Sequence, residues 1–310
     1  MKTTKAILIS IALVSVLPAF GLSSFYELSV GGGWSSLGYG RNSQTLSTLT
    51  LRQSGSYGIT AHVGLGLQFN KYIGVGIGAD FSRYGAAAQI SGENTWPGVR
   101  DTDGETYDHI VTVNKWTDNQ EIYMIEIPLS LYLRFPVAQN VRLYGQIGAK
   151  ACLPMLSKAK FSGSLTHRGF YEPWMLTLYD VPNHGFYTSS MEGKYNLQTN
   201  KFTVAAFIKF GIEAPVDELR NVWLFAAAYG TMHFMPALVL PKEGVIGWRN
   251  DVQGDAMRQA HYFMSDYTSV LNTDLVAGKA WPLAAGLEIG IRFRIPHHKR
   301  YNRFCRCEEE

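Results

Sequence analysis

Four residues have the types and spacing to form charged pairs: His62, Asp80, Glu126 and Lys150. A histidine held against a carboxylate is the smallest apparatus for moving a proton, and a lysine against a glutamate makes an ion pair. Two other constellations invite a chemical reading and lose it on spacing. Gly74, Gly76 and Gly78 recur at a period of two with no helix after them, so they are small residues on one strand face and not a phosphate loop. Asp101-Thr102-Asp103-Gly104-Glu105 opens like a calcium loop but lacks the frame that ends in a bidentate glutamate. Cys152, Cys305 and Cys307 match no zinc spacing and are too few for a disulfide scaffold. No metal and no cofactor is expected.

The elements that must position the four residues are strands. The clearest runs from Ile122 to Phe135. Tyr123, Ile125, Ile127, Leu129, Leu131, Leu133 and Phe135 lie on one face, with Glu126, Ser130, Tyr132 and Arg134 on the other. Such a run exceeds the roughly 9–11 residues that cross a bilayer when tilted. The same alternation sets Ile59, Ala61, Val63, Leu65 and Leu67 against His62, and Ile73, Val75, Ile77, Ala79 and Phe81 against Asp80. It sets Val141, Leu143, Ile147 and Ala149 against Arg142 and Lys150, and Val204, Ala206, Ile208, Phe210 and Ile212 against Lys209 and Glu213. Near the end, Leu287, Ile289, Ile291 and Phe293 oppose Glu288 and Arg292. The glycine-rich strand from Phe25 to Trp34 is less regular. The segment from Val222 to Phe234 leaves its faces open, with Trp223, Phe225 and Tyr229 favoured as outward.

Eight strands result, at about 24–36, 56–70, 72–86, 120–136, 140–157, 198–214, 221–236 and 278–295. Short connections at 70–72, 136–140 and 214–220 alternate with long ones at 37–55, 87–119, 158–197 and 237–277. Short turns on the periplasmic side with long external loops mark a transmembrane β-barrel of antiparallel strands. The fold class expected is all-β, with both termini periplasmic. A short helix is expected within 251–267.

Bulk properties agree. Of 310 residues 17% are charged, against about a quarter in soluble proteins, which suits a chain with one face in lipid. The net charge of +3 and the scattered Lys and Arg give no nucleic-acid footprint. Mean hydropathy is only −0.05, and past Gly21 no run is long and apolar enough for a membrane helix. Lys2 and Lys5 before the apolar run Ala6–Phe20, and Ala19-Phe20-Gly21 after it, read as a signal peptide over 1–21, with the barrel over 22–295 and a periplasmic tail over 296–310. The redox state of Cys305 and Cys307 stays open.

Because paired residues share a face, parity fixes register. A turn at 70–72 sets His62 opposite Asp80, and a turn centred on Ala138 sets Glu126 opposite Lys150. The lumen is then expected to hold these two pairs with Arg134, Arg142, Lys209, Glu213, Glu288 and Arg292. Eight strands enclose just enough room for side chains, so a plugged interior held by ion pairs outranks a gated ion path. The His62–Asp80 pair outranks an acid–base site as a structural contact. Among the aromatics of 158–197, Tyr171, Trp174 and Tyr179 are the candidates for contact with an external partner.

Ile125-Glu126-Ile127-Pro128-Leu129 through Arg134-Phe135 resembles a strand of the Bacteroidota outer-membrane β-barrel proteins, which are porin-like or like the OmpA N-terminal domain. Tyr144-Gly145-Gln146-Ile147-Gly148-Ala149-Lys150 is similar to the strand that follows it there. Leu287-Glu288-Ile289-Gly290-Ile291-Arg292-Phe293 resembles the terminal strand read by the barrel assembly machinery. The resemblance implies an eight-stranded, OmpX-like barrel in the bacterial outer membrane; with residues 296–310 alone after the last expected strand, cell-wall anchoring by the peptidoglycan-binding domain that often follows such barrels is not carried over. Its surroundings would be membrane lipid and lipopolysaccharide, with a surface or periplasmic protein as partner. The function expected is non-enzymatic: envelope integrity or surface contact through the loops. A narrow channel and an accessory subunit of a secretion or motility complex are the alternatives.

Overall fold

The computed structural model describes residues 23–40, 48–101, 103–239, 246–248, 261–263, 269–272, 276 and 279–295. The expected signal peptide, the tail with Cys305 and Cys307, and most of the expected helix at 251–267 lie outside the described residues; the described part of that helix, His261–Phe263, is instead a strand.

In chain order the strands are β1 (Ser23–Ser36), β2 (Leu49–Gln68), β3 (Ile73–Arg100), β4 (Thr106–Ala138), β5 (Val141–Tyr171), β6 (Leu176–Leu178), β7 (Thr188–Asn196), β8 (Thr203–Pro215), β9 (Val222–His233), β10 (Leu238–Val239), β11 (Ile246–Trp248), β12 (His261–Phe263), β13 (Lys279–Ala280) and β14 (Leu283–Ile295). Among the described residues eight of them, β1, β2, β3, β4, β5, β8, β9 and β14, pair antiparallel in a ring that closes where β1 meets β14. Closure leaves this ring no free edge. The shorter strands lie outside it, β6 and β7 on β5, β10 on β13, and β11 on β12.

The outer surface is apolar where lipid would touch it. Leu287 is 71% exposed, Leu129 65% and Ile289 63%, fractions that a soluble protein would not tolerate in a continuous belt. Phe69, Tyr72 and Phe135 edge this belt near the short turns, and Trp34, Tyr57, Phe202 and Phe234 edge it at the other end. From Phe135 to Tyr123, β4 covers the roughly 30 Å of a bilayer core at the usual strand tilt.

Beyond that belt the sheet continues. The segments 87–119 and 158–197, expected as loops, carry the upper halves of β3, β4 and β5, together with β6 and β7. Segment 37–55 likewise gives β2 its start at Leu49. The reason lies in the inner face. Ile90, Val111, Val113, Trp116 and Leu165 pack into an apolar core above the lumen, so pairing goes on where lipid ends. Loss of the lipid-facing row hides this from a search for lipid-type alternation.

Two assignments need correction. Trp223, Phe225 and Tyr229 point inward, at 5%, 4% and 8% exposure, while Leu224 and Met232 face out. Their rings occupy space that neighbouring glycines leave: a Cβ on Gly290 would lie 2.4 Å from the Phe225 ring, and one on Gly31 would lie 3.0 Å from that of Tyr229. The β4–β5 hairpin turns at Gln139 and Asn140 with an irregularity between Pro136 and Ala138. Glu126 therefore stands opposite Cys152, and Lys150 opposite Pro128. The slip is of two residues, so both side chains keep the lumen face.

Candidate functional site

The lumen is built from the inward positions of all eight ring strands. Toward the short turns, Arg292 of β14 lies beside Glu27 of β1, with Nη2 2.8 Å and Nε 2.9 Å from Oε2. Its other side contacts Glu213 of β8. Arg134 and Arg142 approach Glu213 at 3.5 and 3.8 Å. Arg134 also bonds Gln68 and lies 4.4 Å over the ring of Phe25. Four rings surround the Arg292 guanidinium, at 4.7 Å for Phe225, 4.9 Å for Tyr144, 5.3 Å for Phe25 and 5.4 Å for Tyr132. A weakly hydrated planar cation tolerates such a lining.

Midway, Lys209 donates to Glu288 at 2.7 Å, and Ser29 donates to the same carboxylate. His62 Nδ1 contacts Asp80, and its Nε2 lies 3.9 Å from Glu27. Lys150 bridges Asp80 and Glu126, 2.7 Å from each, and the Tyr84 hydroxyl donates to Glu126 at 2.6 Å. The diagonal reach of a lysine thus joins Glu126 and Lys150 across a register that does not place them opposite each other.

All ten charged or titratable lumen residues expected from sequence face inward, and each touches another of them or Glu27. Five carboxylates (Glu27, Asp80, Glu126, Glu213, Glu288) meet five cations (Arg134, Arg142, Lys150, Lys209, Arg292), so the fixed charges cancel. Buried charges persist only when paired in this way. Sequence reading placed Tyr132 on the lumen face but missed Glu27, Tyr84 and the inward rings of Phe25 and Phe225. Tyr26, Leu28 and Val30 of β1 are exposed, and the same parity would have turned Phe25, Glu27 and Ser29 inward.

The lumen is roofed. Leu37, Tyr84, Ile122, Met124, Val270 and Leu271 belong to the apolar core above it. Asp118 Oδ2 accepts from Ser269 Oγ and from the Val270 backbone N–H, both at 2.6 Å, and from Gln120 at 3.0 Å, which ties residues 269–271 to β4. Burial pushes the Asp118 carboxyl up to about 7, against the hydrogen bonds from Ser269 and Gln120.

Higher still, His109 Nε2 and His167 Nδ1 lie 3.2 Å apart on adjacent strands. Burial, and then the neighbouring His167, holds His109 down at about 3. Of the three aromatic contact candidates, Trp174 and Tyr179 are more than half exposed. Tyr171 is buried, stacked on Tyr107 at 5.3 Å and donating to Asp101 at 3.0 Å.

A closed ring of eight antiparallel strands, greasy outside and filled with paired charges, defines a transmembrane β-barrel. A family model described as outer membrane protein beta-barrel domain matches residues 6–244, and the chain belongs to that outer-membrane family. Several solved structures are similar to it. Neisserial surface protein A shares 12% identity at a TM-score of 0.34, with 88% of this chain and 97% of that one covered. The attachment invasion locus protein Ail of Yersinia pestis shares 11% at 0.28, covering 88% and 99%. OprG of Pseudomonas aeruginosa shares 8% at 0.34, covering 88% and 96%. No curated protein matches the sequence.

Proposed function

We propose that this chain is a non-enzymatic surface barrel of the eight-stranded, OmpX-like kind found in Bacteroidota. It stands in the outer membrane among lipid and lipopolysaccharide, with both termini periplasmic, and engages an external partner through its projecting sheet. The observation that carries this reading is the sheet itself. β3, β4 and β5 run on past the membrane belt, with β7 along β5, and at the far end the turn after β5 and the residue after β6 present Trp174 and Tyr179. Rigid strands present side chains at lower entropic cost than loose loops, and exposed aromatics are the residues on which interfaces concentrate binding energy. The filled lumen and its apolar roof speak against the narrow channel.

The test uses cells displaying the full chain and a variant in which the outer parts of β3–β4 and β5–β7 are trimmed to short turns. The intact form is expected to capture a surface or matrix partner that the trimmed form does not, while both keep the heat-dependent gel migration of a folded barrel. Discrete unitary currents from the purified protein in planar bilayers would defeat this reading and favour the channel.

A further inference from the structure

High in the lumen, just beneath the roof, three metal-ligating side chains of different elements converge. Glu126 of β4 stands directly opposite Cys152 of β5, and Cys152 directly opposite Thr203 of β8. His233 closes β9 opposite Ala205 of β8. All three side chains turn inward, at 0%, 0% and 2% exposure. One ligand atom from each of Glu126, Cys152 and His233 lies within 4.8 Å of the others. We propose that Glu126, Cys152 and His233 form an intralumenal site for one borderline divalent cation of the zinc class.

Orientation of the histidine supports this independently of the cluster. Thr203 Oγ1 donates its proton to the carbonyl of Met235 at 2.6 Å. The same oxygen lies 3.5 Å from His233 Nδ1, so toward the imidazole it can only accept. The proton of His233 is thereby placed on Nδ1, and Nε2 presents a bare lone pair. That Nε2 is buried and has no hydrogen-bond partner among the described residues. A hydroxyl or carbonyl fixing the far nitrogen while the near one is left bare is how proteins orient a metal-ligating histidine.

The donor set selects the ion. One thiolate, one imidazole and one carboxylate suit zinc, and match neither the all-oxygen sphere of calcium or magnesium nor a four-thiolate cluster. Charge fits as well. Lys150 touches both Asp80 and Glu126, and the three together carry two negative charges and one positive. A divalent cation that displaces the Cys152 proton to solvent adds one net positive charge, so this local group becomes neutral while the lumen as a whole, balanced without it, gains one positive charge. Since β4, β5 and β9 each supply a ligand, the ion would clamp three ring strands. With an apolar roof above and ion pairs below, it would enter while the barrel folds.

The test is metal binding by the full chain refolded with zinc or cobalt(II) and then dialysed. His297, His298, Cys305 and Cys307 are replaced in every sample, since those residues could bind metal themselves. One retained equivalent is expected, with a thiolate-to-cobalt charge-transfer band in the cobalt form. Both should be lost, with at least a tenfold drop in affinity, in Cys152→Ser and in His233→Ala that still migrate as folded barrels. Absence of retained metal, a cobalt spectrum without that band, or equal retention by the folded Cys152→Ser and His233→Ala variants would overturn the proposal. The cobalt spectrum of the chain with Cys152 and His233 intact decides it even if a variant misfolds. Surface contact by the projecting sheet does not depend on the outcome.

Discussion

Glu27 and Arg292 lie directly opposite each other on the first and last strands of the ring, joined at 2.8 Å across the seam that closes it. The two residues are separated by most of the chain, so the pair forms only when the barrel does. Its surroundings are dry, with Glu27 fully buried and Arg292 at 3% exposure. A buried pair of this kind contributes little net stability over apolar packing, but losing one partner is costly.

Arg292→Ala removes the one arginine or lysine in direct contact with Glu27 among the described residues, leaving His62 at 3.9 Å, with Glu213 still served by Arg134 and Arg142. The expected loss is about 3–5 kcal/mol, the usual cost of orphaning a buried charge. It would be read as a lower urea midpoint for the folded, heat-modifiable band. Arg292→Lys retains the charge while giving up the two-pronged contact, and should lose clearly less. Equal midpoints for the two variants would remove the ion pair from the explanation.

Two glycines separate lumen packing from lipid contact. A Cβ on Gly66 would sit 2.0 Å from the Phe25 ring, whereas on Gly145 the nearest atom is a backbone oxygen 3.8 Å away. Gly66→Ala must displace Phe25 from between Arg134 and Arg292, for an expected destabilisation of about 1–3 kcal/mol. Gly145→Ala should be near neutral. Refolding yield and urea midpoint in the same detergent compare them directly.

Acid should loosen the projecting sheet before the barrel. Burial and the adjacent His167 hold His109 at about 3, below its ordinary 6.5, and burial lowers His167 as well. A depressed pKa means that the unfolded strands bind more protons than the folded ones over this interval. The contribution is therefore whole above about pH 6.5 and drains away as pH falls toward 3. Amide exchange in β4 near His109 and β5 near His167 should accelerate between pH 7 and 4.5, relative to the membrane-spanning halves. His109→Gln with His167→Gln should flatten that dependence; an unchanged slope would show that the pair is not responsible.

From the sequence alone came the strand as the unit, the inward face of most strands, and the near-complete roster of lumen charges, because a lipid boundary imposes a period of two that any reader can follow. His62 beside Asp80 was legible for the same reason, since parity and a short turn decide it. Tertiary structure alone decided the rest. Where the apolar row faded, pairing continued under a core whose partners come from distant segments, so the upper halves of β3 to β5 read as loops. Trp223, Phe225 and Tyr229 could have met lipid or lumen, and only the gaps beside glycines on neighbouring strands settle it. The cross-lumen contacts of Arg292, Lys209 and Lys150 depend on which walls face each other once the ring has closed, a geometry that no linear spacing encodes.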